Sequence, residues 1–263
     1  REGLDCSRLV TLSGCRTTFT DAFASEETGR RTHLYYPGTS GLLTPDHFQF
    51  EGSRARILHL GLPGLHEQMD KPWNGDPSGW VTVLKGARAA GIKTNLEMCS
   101  LPAPRLLEVV SPCLGYLDYL IINDFEVAAL AQRPVRHDED VDLRDCLKNA
   151  KDVFERSSME LLVVHFPQGA IAMQRGADPL VIPSAAVPKE AIAGSNGAGD
   201  AFTSGILYGM HEGWPLHDAL QLAHASAAAS MRHIGTTDSI ERWQDCLALA
   251  KVYGSRAELR FPA

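Results

Sequence analysis

The sequence predicts an α/β fold with a mostly parallel central sheet, helices on both of its faces and a small β element near the start of the chain. Short apolar runs alternate with helical patterns from about residue 56 to residue 165, and strands separated in this way pair in parallel through crossover helices. Two of the runs, Leu117-Asp118-Tyr119-Leu120-Ile121-Ile122 and Glu160-Leu161-Leu162-Val163-Val164, are apolar enough to be covered on both faces. Residues 8–36 instead alternate apolar and polar positions around the turn-rich Ser25-Glu26-Glu27-Thr28-Gly29. That is the pattern of a hairpin or small sheet with one open face.

In chain order, Leu9-Val10-Thr11-Leu12, Thr17 to Ala24 and Arg31-Thr32-His33-Leu34-Tyr35-Tyr36 carry the β pattern, and no strong helix is expected before residue 45. Arg56-Ile57-Leu58-His59-Leu60-Gly61 is the first mostly apolar strand. A helix from about Pro77 to Ala90 is closed by Gly91, the residue type that most readily ends a helix, and Ile92 to Leu96 follows as a strand. A helix near 103–110 leads to the strand at 117–122, and helices over 124–131 and 141–156 precede the strand at 160–164. Ala170 to Gln174 and Leu180 to Ile182 are short strands that break the alternation. The remainder is helical over 198–212, 215–233 and 240–252. No repeat or linker divides the chain, so residues 1–263 read as one domain, with the β element at about 8–36 and the α/β core at about 45–263.

Composition narrows the function classes. A chain of 263 residues can bury a proper core, and 44% hydrophobic with 22% charged residues is the balance of a soluble globular protein. No run approaches the roughly 18 consecutive apolar residues of a membrane span. The net charge of −7 speaks against a nucleic-acid partner, which calls for a basic face. It leaves room for an anionic nucleotide held by a few local donors. The cysteines, Cys6, Cys15, Cys99, Cys113, Cys146 and Cys246, form no CxxC pair, and their spacing suits neither a disulfide scaffold nor a zinc site. Reduced thiols and a cytoplasmic location are the expectation.

The most informative segment is Gly194-Ser195-Asn196-Gly197-Ala198-Gly199-Asp200-Ala201-Phe202. Glycines let a backbone turn sharply and approach a ligand closely. The helix expected to start here turns unpaired N–H groups and the positive end of its dipole toward the loop, a setting for an anion and above all for a phosphate. Asp200, in the first turn, is placed to take a proton from an attacking hydroxyl. A purely structural account also exists, because Gly-rich turns open many helices and the dipole stabilises a first-turn Asp without catalysis. Asn123-Asp124-Phe125-Glu126 has the same double character. It reads as a capping box, yet it follows a buried strand, where α/β proteins place their ligands.

Gly197-Ala198-Gly199-Asp200-Ala201-Phe202, followed by a Gly-spaced helix, resembles the C-terminal signature of the ribokinase-like (PfkB) carbohydrate kinases. Asn123-x-x-Glu126 resembles the family's second signature, in the right order and with a strand between the two. The resemblance runs through most of the chain, and these motifs are its specific part. It implies a three-layer α/β/α ribokinase-like fold with a small β lid, and transfer of the γ-phosphate of ATP to a hydroxyl of a sugar, nucleoside or related small alcohol. It further implies Asp200 as the base and the backbone amides of Gly197, Ala198 and Gly199 as an anion hole, in keeping with a reaction that depends on positioning and electrostatics. Asn123 and Glu126 would help to hold a hydrated Mg²⁺, Asn196 and Gly169 would contact the nucleotide, and the segment from His224 to Gly235 would border the adenine. A homodimer through the lid is the self-association it suggests.

The sequence departs from the family pattern in three places. Gly194-Ser195-Asn196 stands where members usually carry Asp-Thr, and the missing acid at 194 speaks against a monovalent-cation site. His165-Phe166-Pro167-Gln168-Gly169-Ala170 replaces Thr-x-Gly-x-x-Gly, with His165 either a phosphate contact or a packing residue. The early sugar-contacting Asp and Gly-Gly-x-x-x-Asn segment have no equivalent. The expectation is that the N-terminal part of the family domain is absent from this sequence, and with it a central strand whose loss would expose a sheet edge. Thr17, Thr18, Phe19, Phe23, Tyr35 and Tyr36 of the lid would face sugar, a partner subunit or their own sheet. Three readings follow: a sugar kinase, a kinase for a nucleoside or another small alcohol, and a catalytically weak member kept as a binding or regulatory protein. The altered segments favour the last, and retention of Asp200 opposes it. A dinucleotide-dependent oxidoreductase is set aside, because no GxGxxG joins an early strand to a helix.

Overall fold

The computed structural model describes residues 3–24, 31–134 and 141–259. Two strands, β1 (Phe19–Ala24) and β2 (Arg31–Tyr36), pair antiparallel as a separate hairpin in which Phe19 lies opposite Tyr36. Their rings stack with centroids 5.2 Å apart. The expected turn at 25–29 lies outside the described residues. Leu9 to Leu12 is not a strand: the Leu9 N–H donates to the Cys6 carbonyl in a turn, and Leu9 and Val10 stay largely exposed. Alternation alone makes no strand where a ladder partner is lacking.

The central sheet has six strands in chain order: β3 (Ile57–Leu60), β4 (Lys93–Leu96), β5 (Tyr119–Asn123), β6 (Leu161–Phe166), β7 (Gly169–Gln174) and β8 (Leu180–Pro183). The first four are parallel, β7 turns back antiparallel to β6, and β8 pairs antiparallel with β7. This accounts for the broken alternation after residue 166, since hairpins need no crossover helix. Four helices, α1 (Gly79–Ala89), α2 (Ala103–Val110), α3 (Asp124–Leu130) and α4 (Leu143–Glu155), come from the first half. Three more, α5 (Ala198–Glu212), α6 (Leu216–Ser230) and α7 (Trp243–Tyr253), come from the second. The expected helix over 215–233 thus ends at Ser230, and a loop follows.

Side chains alternate across a strand, and the two cores follow that alternation. Leu120, Ile122, Leu162 and Val164 join the core built with α1 to α4. Tyr119, Ile121, Leu161 and Val163 join Phe202 and Ile206 of α5 and Ala219, Leu220 and Ala223 of α6 on the other face. The result is a three-layer α/β/α arrangement with the parallel strands buried on both sides. On its outer edge β3 has no strand partner among the described residues. A cavity of about 930 Å³ lies beside it, lined in part by Leu9, Val10, Phe48, Phe50 and Ile57.

The glycine spacing of α5 has a packing cause. A Cβ on Gly205 would lie 2.6 Å from Cα of Ala223, and Gly209 faces Ala219 in the same way. Small residues let α5 and α6 touch backbone to backbone, which fixes the axis of the helix that carries Asp200. Gly205→Val is therefore expected to cost about 3 kcal/mol, because the obstacle is main chain and cannot swing aside. A urea midpoint that does not fall would show that the two helices can part without penalty. At the far end of α5, Tyr208, Trp214 and Trp243 form a cluster. Trp214 and Trp243 meet edge to face at 5.0 Å, and Tyr208 lies 5.6 Å from Trp214. All six cysteines are unpaired, and no described helix is long and apolar enough to cross a membrane.

Candidate active site

The carboxyl ends of β3 to β6 define one rim of the sheet, and α5 begins above it. Gly197 caps α5 in the left-handed conformation, with φ of 78°. That conformation suits glycine, and the position is crowded as well: a Cβ there would lie 2.9 Å from Cβ of Thr236. Ala198, Gly199 and Asp200 form the first turn, so their N–H groups are among those a helix leaves without internal partners. Gly199 rests on the ring of His165, whose Cε1 would lie 3.4 Å from an added Cβ. Gly197→Ala is expected to cost about 1–3 kcal/mol, from left-handed strain and the contact with Thr236. A variant as resistant to urea as the parent would show the loop to be adaptable.

Asp200 keeps one side open to solvent. Even so, loss of hydration raises its carboxyl pKa above the ordinary value; Glu97 adds to the rise and His59 opposes it. A base whose affinity for protons exceeds that of a free carboxylate is better matched to general-base work near neutrality.

Asn123 and Glu126 form a reciprocal capping box at the junction of β5 and α3. The Glu126 N–H donates to Asn123 Oδ1 at 2.9 Å, and the Asn123 N–H donates to the Glu126 carboxylate at 3.0 Å. Burial pushes the Glu126 carboxyl up to about 7 against the pull of the Asn123 N–H, and Glu97 and Asp124 push in the same direction as burial. The capping account is thus realised in full, and it leaves a half-buried carboxylate with a shortage of positive charge around it. Glu97 acts on both Asp200 and Glu126, which ties the two motifs to one rim.

The other expected nucleotide contacts fall in different settings. Asn196 precedes the Gly197 cap in the loop. Gly235 lies in the loop after α6, next to Thr236, and its N–H donates to Nδ1 of His233 at 3.0 Å. This loop lies against 193–197, since the Ala193 N–H donates to the Met231 carbonyl at 2.8 Å. Gly169 opens β7 at the rim, but its side meets Pro183 of β8 and Leu259, so packing alone accounts for that glycine. His224 is buried in α6, edge-on to Phe202 at 5.0 Å, and Phe202 lies 5.0 Å from the ring of His165 on its other flank. Burial lowers both imidazoles to about 4, so both are neutral at physiological pH. Nε2 of His224 has no hydrogen-bond partner. Of the two roles open to His165, its stacking on Phe202 favours packing beneath the loop.

Sequence reasoning passed over His59, Asn95 and Glu97. His59 Nε2 lies 3.0 Å from Glu97 Oε2, and His59 Nδ1 lies 2.7 Å from the side-chain amide of Asn95. A polar residue inside or just past an otherwise apolar strand was the available signal. Among the described residues no three His, Cys, Asp or Glu side chains converge as a metal cage. Glu97 and Asp124 act on Glu126 as further carboxylates, a donor set compatible with a hard cation that keeps most of its waters.

Known proteins place this geometry in context. The chain is 28% identical over 166 residues to the adenosine kinase of Schizophyllum commune, an overlap that takes in 60% of this chain and 48% of that one. The chain therefore spans about half the length of that relative. Among solved structures, ribokinase from Giardia lamblia superposes with a TM-score of 0.70 at 17% identity, covering 90% of this chain and 73% of that one. Arabidopsis thaliana ribokinase, complexed with ribose and ATP, gives 0.66 at 17% identity, covering 90% and 70%. At such identities the likeness is one of fold, and that fold is ribokinase-like. A family model described as pfkB family carbohydrate kinase matches residues 1–243, and with both signatures standing on one rim of this fold, the chain belongs to the pfkB family of carbohydrate kinases.

Proposed function

We propose that the chain is an ATP-dependent phosphotransferase that moves the γ-phosphate of ATP to a hydroxyl of a sugar or sugar-like small molecule. The observation that carries this reading is Asp200 in the first turn of α5, directly after the left-handed Gly197 and on the same rim as the Asn123–Glu126 box. Asp200 takes the proton of the attacking hydroxyl. The first-turn N–H groups of α5 stabilise the charge that develops on the phosphoryl oxygens. The N–H groups around Gly197 suit a phosphate, and the negative charge of Glu97 and Asp124 around Glu126 suits a cation. When bound, ATP and Mg²⁺ supply the transferable group and offset its charge. Glu126 and Asn123 would hold the hydrated cation, while Asn196 and the 231–236 loop would border the nucleotide.

A second reading, with a nucleoside as acceptor, is favoured by the similarity to an adenosine kinase. In either reading the protein works in the cytoplasm, and the exposed hairpin face bearing Phe19, Phe23, Leu34 and Tyr36 is the surface for a second copy. The deciding experiment is Mg-ATP turnover against a panel of sugars, nucleosides and small alcohols. Turnover with one acceptor class is expected. ATP binding without turnover on any acceptor would instead support a regulatory member of the family.

A further inference from the structure

The rim of the sheet carries a chain of polar side chains that the phosphotransfer reading leaves unused. His59 and Asn95 are directly opposed in the parallel register of β3 and β4, and Asn95 is completely buried. With its side-chain N–H donating to Nδ1 of His59 at 2.7 Å, the neutral ring must carry its proton on Nε2. That nitrogen faces Glu97 at 3.0 Å. Three side chains are thus linked in series, from a fixed amide at the floor to a carboxylate at the rim.

The amide oxygen of Asn95 is buried without a partner, and a buried acceptor in that state calls for an explanation. Half a turn of the amide would bring this oxygen to His59 and put the NH2 in its former place. The oxygen would then accept from Nδ1–H of a doubly protonated His59, while Nε2–H stays on Glu97. The same three residues therefore accommodate His59 with or without a positive charge, and so Glu97 with or without a compensating partner.

What Glu97 presents matters to Asp200, whose ionisation is opposed by Glu97 and favoured by His59. The other titratable groups on neighbouring elements are Glu126 and Asp124 of α3, His165 of β6 and the His233–Asp238 pair in the loop beside Gly197. None of these is linked to His59 by the hydrogen bonds described above. We propose that Asn95, His59 and Glu97 are positioning residues that form a relay, setting the negative charge presented to Asp200 and so the pH at which that base becomes competent. The proposal rests on the reading of Asp200 as the base.

The test follows Asp200 itself, so that it does not depend on finding the acceptor. The full chain is prepared with ¹³C-labelled aspartate carboxyls, and the Asp200 resonance is assigned by its loss in Asp200→Asn. Its titration is then compared in the parent, Glu97→Gln, His59→Gln and the double variant. Glu97→Gln is expected to move the midpoint down by roughly 0.5–1 pH unit and His59→Gln to move it up by a similar amount, the scale of a neighbouring charge. In the double variant the midpoint should fall between that of Glu97→Gln alone and the sum of the two single shifts, because His59 acts on Asp200 both directly and by compensating Glu97. An unmoved midpoint in Glu97→Gln, or additive shifts in the double variant, would overturn the relay. With an active acceptor in hand, the acid limb of kcat/KM should move in the same directions, which a merely structural role would not produce. Correct titration shifts without turnover on any acceptor would sink the kinase reading and leave the electrostatic link standing.

Discussion

Asp200→Asn is expected to lower kcat by about 10²–10⁴-fold, the usual contribution of a positioned base, with ATP affinity changed only a few-fold. The amide keeps the shape of the side chain and its place in the first turn of α5, so the fold and the N–H groups of the loop survive. What is lost is the ability to accept the hydroxyl proton. Because loss of hydration and Glu97 raise the Asp200 pKa above 3.8, activity in the parent should fall as pH drops through that raised value, and the acid limb should disappear from the residual activity of the variant. The comparison needs single-turnover rates across pH with nucleotide binding measured alongside. An unchanged rate in Asp200→Asn would remove this residue from the chemistry.

Glu126→Gln is the second large effect, and its two consequences run in opposite directions. In the folded protein the Glu126 carboxyl is raised from 4.5 to about 7, so the native state holds that proton more tightly than the unfolded chain does. The stabilisation this gives is complete below about 4.5 and is lost as pH climbs through about 7. Linkage converts a rise of this size into about 3 kcal/mol as an upper figure. Glutamine keeps an acceptor for the Asn123 N–H and never ionises. At pH 8 without ligands, the variant should melt several degrees higher than the parent, on the order of 5–10 °C, and near pH 4.5 the two should melt together. Catalysis should show the reverse, with at least about a tenfold rise in the Mg²⁺ needed for half-maximal activity, since an ionised carboxylate is the stronger ligand for a hard cation. A gain in stability at the expense of function is the pattern expected of a residue kept for its chemistry. Equal melting at pH 8 together with unchanged Mg²⁺ dependence would reduce Glu126 to a helix cap.

Much of the fold was legible because two periodicities were strong. The doubly buried runs at 119–122 and 161–164 gave β5 and β6, and the helical stretches gave α1 to α7 to within a few residues. The reading failed at Leu9 to Leu12, where alternation had no partner strand to act on, and at the end of α6, where apolar residues continue past Ser230 into the loop. For the site, the loop at 197–200 and the box at 123–126 stood out because each is a short contiguous run that resembles a family signature. His59, Asn95 and Glu97 did not, because His59 is far from the other two in sequence and meets them only through the register of β3 and β4. His224 and Gly169 show the opposite limit. Each lies in the second half of the chain with the site residues, yet the ring of Phe202 and the neighbouring strand β8 account for their surroundings.

The indole pair of Trp214 and Trp243, with the phenol of Tyr208 against it, gives this protein an optical reporter of its own. Tyr208 shares a rigid rod with Asp200, and chromophores 5.0 Å apart and nearly perpendicular couple strongly enough to shape the near-ultraviolet circular dichroism. A small tilt of the rod changes that coupling. Ligand-induced displacement at the loop should therefore be readable without labels from the opposite end of the helix, as a change in dichroism at constant secondary structure.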